Sequence, residues 1–508
     1  MKTRGSAIIL IIIIVTGLQC NASKKEDQPN ILLLMSDNQY FRHLGAYGDE
    51  IVRTPNIDAI ALKGVRFTNA FCASPSCTPS RAGLLTGQDI WRLKEGANLW
   101  GILPHEFNTY TDLLEENGYA VGFSGKGWGP GKDSVEGRNR NPAGNKFSDF
   151  TAFLNSAEKN KPWTFWFSSR EPHRPYPVGS GKASGIPVAS IKVPPYLPDT
   201  DSVRNDIADY YAAIETFDQE VGRIIETLKS AGLYDNTVIV ICSDNGWQMP
   251  RGLGNLYDFG SHVPLIISYS KWIPARVYDD FVNLNDLAPT FLELAGITVP
   301  AAVTAKSLLS LLKADQTEGI TDKTRDAVYM GRERHAFVRH NGLGYPMRGI
   351  RTNDFLYIHN YEPGRWPAGD PPLYGDVDAH MLHYPSLSKV EVLANKDLND
   401  SVYYKLAFAK RPEEELYDLS NDPFQLYNIA KEAQYTEQKK TLRSRLDKYL
   451  LDTKDPRATG EKIIWDSSPY YNERDKTPVP SIEYRKRLGL DSVYYLLPTD
   501  KKKLEYSL

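Results

Sequence analysis

Five short apolar runs, each closed by polar residues, constrain this chain more than any other feature. They lie at 30–36 (NILLLMS), 119–123 (YAVGF), 162–168 (PWTFWFS), 237–242 (TVIVIC) and 263–268 (VPLIIS). Runs of this length, bounded by polar residues, read as buried strands. Helical periodicity fills the intervals. Thr54 caps a segment spanning 54–67 with Ile57, Ile60, Ala61 and Val65 at helical spacing. Further helices are expected over 81–86, over 109–117 with Gly118 as its stop, and over 203–230, where Ile207, Tyr211, Ile214, Phe217, Val221, Ile224, Ile225 and Leu228 share a face. Strands alternating with helices predict an α/β domain with a largely parallel sheet. Ligands of such sheets bind beyond the carboxyl ends of the strands. Asp37-Asn38, Lys126, His173 and Asp244-Asn245 each follow a predicted strand, so they are expected to meet at one site.

The pattern changes after about residue 335. Residues 348–360 read as two short strands around a turn at Asn353-Asp354, 415–430 as a strand with a Pro-bounded turn, and 432–451 as a polar amphipathic helix. The expected division is an α/β domain over 28–335 and a smaller α+β domain over 336–508 packed on it. The first 22 residues carry Lys2 and Arg4, then an apolar run from Ala7 to Val15 that is too short to span a bilayer. This is the pattern of an export signal, and it predicts an extracytoplasmic, periplasmic or cell-surface protein. Cys20 stands where a bacterial lipoprotein is acylated, although Leu18-Gln19 makes a poor lipobox; cleavage after Ala22 is the competing outcome. Lipid at Cys20 is the one expected membrane tether.

Charge narrows the function. With 60 Lys and Arg against 63 Asp and Glu, the net charge is −3, which argues against a general nucleic-acid binder. Four cysteines in 508 residues cannot form a disulfide framework. One of them sits in an informative segment, 76–88, SCTPSRAGLLTGQ. Pro79 suits the first turn of a helix, so Cys77 is expected at a helix N-terminus. There the dipole favours anions and lowers a thiol pKa. Arg81, one turn on, is placed to hold the same anion.

Cys77-Thr78-Pro79-Ser80-Arg81, followed by Leu85-Thr86-Gly87, resembles the sulfatase signature, in which the Cys is converted to formylglycine (3-oxoalanine). Gly118-Tyr119 leading to Gly125-Lys126 resembles the family's second motif, and the likeness runs from about Asn30 to Ala430. The resemblance implies an alkaline-phosphatase-like fold: a large, mostly parallel central sheet flanked by helices, with a smaller C-terminal domain that carries an antiparallel sheet and contributes to the substrate pocket. It also implies a divalent cation, usually Ca2+, held by Asp37, Asn38, Asp244 and Asn245. All four offer the oxygens a hard cation requires, with Asn38 in the place of a commoner Asp. Hydrated formylglycine at 77 would attack sulfur and form a covalent sulfate ester. Arg81 and Lys126 would neutralise sulfate oxygens, and His173 would act as acid or sulfate ligand. A maturase must then modify Cys77 before or during export.

Two positions depart from the family's pattern. Trp128 stands where many sulfatases carry a His after the Gly-Lys motif, and Leu253 stands where a basic residue is expected. Arg251 or His262 is the expected substitute. Arg174, in Pro172-His173-Arg174, belongs to a piece resembling the glucosamine N-sulfatase branch, as do Asn255-Leu256-Tyr257 and Tyr345-Pro346-Met347-Arg348. Glu333 and His335 precede the last of these and are further candidate substrate contacts. The expected activity is hydrolysis of sulfate from a glycosaminoglycan-derived sugar, foremost the N-sulfate of glucosamine in heparan fragments. An O-sulfatase on another glycan and a non-catalytic glycan-binding protein are the alternatives.

Overall fold

The computed structural model describes residues 28–472, apart from 136, 372–373, 377–385 and 398–400. The expected leader over 1–22, with Cys20, lies outside the described residues. Nine strands form one sheet: β1 (Asn30–Ser36), β2 (Val65–Phe71), β3 (Ala120–Gly125), β4 (Asn145–Lys146), β5 (Trp163–Ser168), β6 (Thr237–Ser243), β7 (Leu265–Ser268), β8 (Arg276–Asn283) and β9 (Glu318–Gly319). Their order is β4-β3-β5-β1-β6-β7-β2-β8-β9. β7 runs antiparallel to both of its neighbours, and the other pairs are parallel. The expected mostly parallel sheet is therefore present, with one reversed strand.

The centre of the sheet is β1, buried along its whole length. Successive side chains of a strand point to opposite faces. Leu32 and Leu34 accordingly enter one apolar layer with the long helix Asp201–Ser230, whereas Ile31, Leu33 and Met35 enter the other. This two-sided burial explains why the run reads as uniformly apolar. The pairing of Met35 with Cys242 and of Ser36 with Ser243 brings the ends of β1 and β6 level.

The helix expected over 54–67 is shorter. It spans Pro55–Ala61, and Val65–Phe67 belongs to β2. Val65 fits the helical spacing, but Gly64 intervenes and a Cβ there would lie 2.5 Å from the Ile267 carbonyl oxygen. The backbone turns at this close approach, and Val65 pairs with Ile267 as a strand residue. The helix expected over 109–117 spans Tyr110–Glu116, with Thr109 and Asp112 capping reciprocally.

A second, antiparallel sheet is formed in order by β10 (Ala327–Arg332), β11 (Met347–Thr352), β12 (Phe355–Asn360) and β13 (Glu414–Asp418). The expected domain boundary at residue 335 falls just after β10. The helix Thr436–Asp452 covers this sheet, with Leu442, Leu446 and Leu450 packed beside Ile350, Tyr357 and Leu416. Among the described residues, no helix is long and apolar enough to cross a membrane.

Candidate active site

Strands β3, β5, β1 and β6 are consecutive neighbours and mutually parallel, so their carboxyl ends form one edge. Asp37 follows β1, Lys126 follows β3 and Asp244 follows β6. Gly125 makes the approach of Lys126 possible: its φ is +79°, and a Cβ there would lie 1.9 Å from the Ser168 carbonyl oxygen. Asn38 also has positive φ, at 70°, a conformation Asn tolerates. The fifth contribution comes from the segment after β2.

Cys77 is the first residue of the helix Cys77–Thr86, preceded by extended Ser76, and all ten helix residues are buried. Gly83 lets this helix sit against Asn285, whose Oδ1 would lie 2.3 Å from an added Cβ. The Cys77 Sγ thereby comes within 3.5 Å of Asp37 Oδ1 and 3.7 Å of Asn38 Oδ1, and it accepts from Asn245 Nδ2 at 3.7 Å. Asp37, Cys77 and Asp244 converge closely enough to share one ion.

Two cations balance the two carboxylates. Lys126 Nζ lies 2.6 Å from Asp37 Oδ2 and Arg81 Nε 2.8 Å from Asp244 Oδ2. Arg81 Nη1 donates to the Gly127 carbonyl and to Ser168 Oγ, both at 2.5 Å. Its Nη2 has no hydrogen-bond acceptor and lies 3.8 Å from Asp37 Oδ2. Burial works to raise the Asp37 pKa, but Lys126 and Arg81 outweigh it and hold the carboxyl below its ordinary range. Burial and the neighbouring Asp37 charge push Asp244 the other way, above its ordinary value.

The thiol reverses the expectation drawn from helix position. Burial, followed by the Asp244 charge, drives the Cys77 pKa upward despite Lys126 and Arg81. A dipole contribution is small beside the removal of a thiolate from water next to a carboxylate. As a cysteine, residue 77 is a protonated, weak nucleophile.

Cys77 lines a cleft together with His173, Gln248 and His335. His173 is half-buried and its Nδ1 lies 2.5 Å from the Arg174 carbonyl oxygen. Buried His335 places Nδ1 2.8 Å from Ser76 Oγ. Trp100 and Tyr470 add aromatic walls, and Leu253 adds an apolar one. Leu253 therefore faces the cleft at the place where a basic residue was expected. Trp128 instead is buried in the core layer beneath.

Four expected substrate contacts do not line this cleft and have internal partners. Arg174 places both Nη atoms on Asp206, at 2.6 and 2.7 Å. Arg251 donates to the carbonyls of Leu406 and Gln425 and stacks on Tyr257. His262 stacks between Phe41 and Phe71 with Nε2 2.7 Å from the Thr68 carbonyl oxygen. Glu333 pairs with Arg348 and Arg457, both at 2.7 Å. The physical reason is common to all four: a charged or polar group buried by the fold must find an internal partner, and here it has. Sequence reasoning missed Gln248, Trp100, Tyr470 and Asn472. Gln248 stands three residues beyond Asn245 and was within reach of that signal. The other three have no local signature, because the fold alone brings them to Cys77.

Comparison with known proteins identifies the family. The family model described as sulfatase matches residues 29–297, and that of the N-sulphoglucosamine sulphohydrolase C-terminal region matches residues 252–368. Human N-sulphoglucosamine sulphohydrolase is 28% identical, with 91% of this chain and 98% of the relative covered. An N-acetylglucosamine-6-O-sulfatase of Bacteroides thetaiotaomicron is 25% identical over 90% of this chain and 92% of its own. A solved structure in complex with its substrate D-glucosamine-2-N,6-O-disulfate superposes with a TM-score of 0.62 at 21% identity, covering 86% of this chain and all of that one; this is a likeness of fold. With the family model spanning more than half of the chain, the protein belongs to the sulfatase family and is a hydrolase of sulfate esters or sulfamates.

Proposed function

We propose that this protein removes the N-sulfate of glucosamine from heparan-type glycan fragments, with residue 77, converted to formylglycine, as its nucleophile. The carrying observation is the position of residue 77: at the floor of the cleft, within 3.7 Å of Asp37, Asn38 and Asn245. The C-terminal family match and the human relative favour the N-sulfate. The aromatic walls suit the faces of a sugar ring. Residues 1–22 support an extracytoplasmic site of action, with a maturase modifying residue 77 before or during export.

The residues fit a hard divalent cation such as Ca2+. Asn245 Oδ1 is buried without a hydrogen-bond partner, on a side chain whose Nδ2 lies 3.7 Å from Cys77 Sγ, and Cys77 groups with the carboxylates of Asp37 and Asp244. Together with the Asn38 side-chain oxygen, these atoms would form the ligand set. A bound cation supplies positive charge that favours an ionised nucleophile and a neutralised sulfate. Formylglycine supplies, as its hydrate, a hydroxyl for attack and a second one for release of sulfate. The chain's own groups do the rest. Arg81 offers the unspent Nη2 and Lys126 its ammonium to sulfate oxygens, and His173 faces the same space as a sulfate ligand.

Sulfate release from defined N-sulfo, 6-O-sulfo and 2-O-sulfo glucosamine and uronate sugars tests the reading. The N-sulfated sugar is expected to be turned over most efficiently. Release from O-sulfated sugars alone would reject the N-sulfate assignment in favour of an O-sulfatase, the reading that apolar Leu253 and the absent imidazole at Trp128 favour. Unmodified Cys77 by peptide mass spectrometry, with no sulfate released, would leave only glycan binding.

A further inference from the structure

Cleavage of a sulfamate or sugar sulfate leaves a nitrogen or oxygen that needs a proton as the bond to sulfur breaks. Two imidazoles line the cleft together with Cys77, His173 and His335. They are not equivalent. His335 is held by Ser76, the residue directly preceding the nucleophile position, so its ring is fixed relative to residue 77 by one short linkage. It is 3% exposed, whereas His173 is half-buried and anchored on a neighbouring carbonyl. His335 also lies in the field of the Asp376 carboxylate, which accepts from the Ala336 N–H at 2.9 Å. Burial would raise the Asp376 pKa, but Arg332, Arg339 and His335 hold it down. Arg332 and Arg339, which both pair with that carboxylate, complete the charged groups around it.

We infer that His335, anchored by Ser76, is the catalytic acid that protonates the leaving group. In this step the nucleophile oxygen forms its bond to sulfur and the sulfur–nitrogen (or sulfur–oxygen) bond breaks. The electron pair of the broken bond stays on the leaving atom, which takes the proton of His335 Nε2. The ring starts as imidazolium, with Nδ1–H donating to Ser76 Oγ, and ends neutral with the proton on Nδ1. Water restores the lost proton after the sugar departs. This assignment rests on the sulfatase reading of the cleft and adds a residue outside the strand-edge cluster. It also accounts for a cleft that lacks an imidazole at position 128.

The experiment uses the full, formylglycine-containing protein and the sugar that the wild type turns over best. His335→Gln retains a hydrogen-bonding side chain but cannot deliver a proton, and kcat is expected to fall about 100-fold or more with KM within about threefold. His335→Ala opens room for an added ring. Imidazole should restore at least about tenfold of the lost rate, whereas pyrazole, of the same size but far less basic, should not. Ser76→Ala, which frees the ring, is expected to lose less than His335→Gln. The assignment is overturned if His335→Gln keeps more than about half of the wild-type kcat, or if pyrazole rescues His335→Ala as well as imidazole does. A wild-type protein that releases sulfate from no sugar is a different result, and rejects the sulfatase reading of the cleft itself.

Discussion

Arg81 and Arg348 are both completely buried and both sit among carboxylates, yet they have opposite uses. Arg348, on β11, spends every donor internally: Nε on Asp455 at 2.6 Å, Nη2 on Glu333 at 2.7 Å, and Nη1 on the carbonyls of Met347 and Arg332. Arg81, at the strand edge, keeps Nη2 without an acceptor, 3.8 Å from Asp37 Oδ2. Arg348 uses its whole guanidinium to fix packing around the C-terminal sheet, and Arg81 keeps one nitrogen without an acceptor. Burial of charge is common to both, so it does not mark function. An unsatisfied buried polar group calls for an explanation that a satisfied one does not.

This comparison can be broken by experiment. The largest effect is expected for Cys77→Ala: sulfate release should fall by at least about 10³-fold, since removing a nucleophile removes its whole reaction path. Its thermal midpoint should stay within a few degrees of the wild type, as the lost thiol makes only long contacts. Appreciable sulfate release by this variant would remove residue 77 from the mechanism. Next, Arg348→Met strands Asp455 and half of the Glu333 pairing, and should cost about 3–5 kcal/mol in denaturant unfolding. Activity per folded molecule should be nearly unchanged. Arg81→Lys should show the reverse, a rate loss of about 100-fold with a smaller stability change. If both substitutions move stability alone, the distinction between the two arginines collapses.

The smallest effect concerns Glu171, whose backbone carbonyl accepts from Asp37 N–H. Burial, with the charges of Glu220 and Asp37, raises its pKa to about 7. A carboxyl raised in the folded state binds protons more tightly than in the unfolded chain. Stability therefore falls as pH rises from the ordinary carboxyl value through about 7. In metal-chelated protein, Glu171→Gln should be more stable than the wild type at pH 8 and nearly equal at pH 4. Partial exposure limits the gain to about 1 kcal/mol. A gain that persists unchanged at low pH would assign it to packing.

The strand-edge site was legible because its parts are local. Asp37, Lys126 and Asp244 each stand within three residues of an apolar run, and a parallel sheet aligns such ends without further information. Cys77 was legible through its own segment. The chemistry of its thiol was not: helix position argues for a lowered pKa, whereas burial raises it, helped by a carboxylate some 170 residues away in the chain. The outer contacts failed for a related reason. Arg174, Arg251, His262 and Glu333 carry the right chemistry, but each has an internal partner that only the fold supplies. The reversal of β7 was likewise silent, because a short buried strand has the same composition in either direction.

The sequence by itself determined the α/β alternation, the aligned carboxylates and the residue at which chemistry is expected. These follow from short-range rules: periodicity, caps and a motif contained in a few residues. The tertiary structure decided which cations meet the carboxylates at Cys77 and which imidazoles line the cleft, with Leu253 and the aromatic walls completing the space. Those outcomes depend on which buried group finds a partner first, and buried polar groups are paired across the fold by a free-energy cost that no local stretch of chain contains.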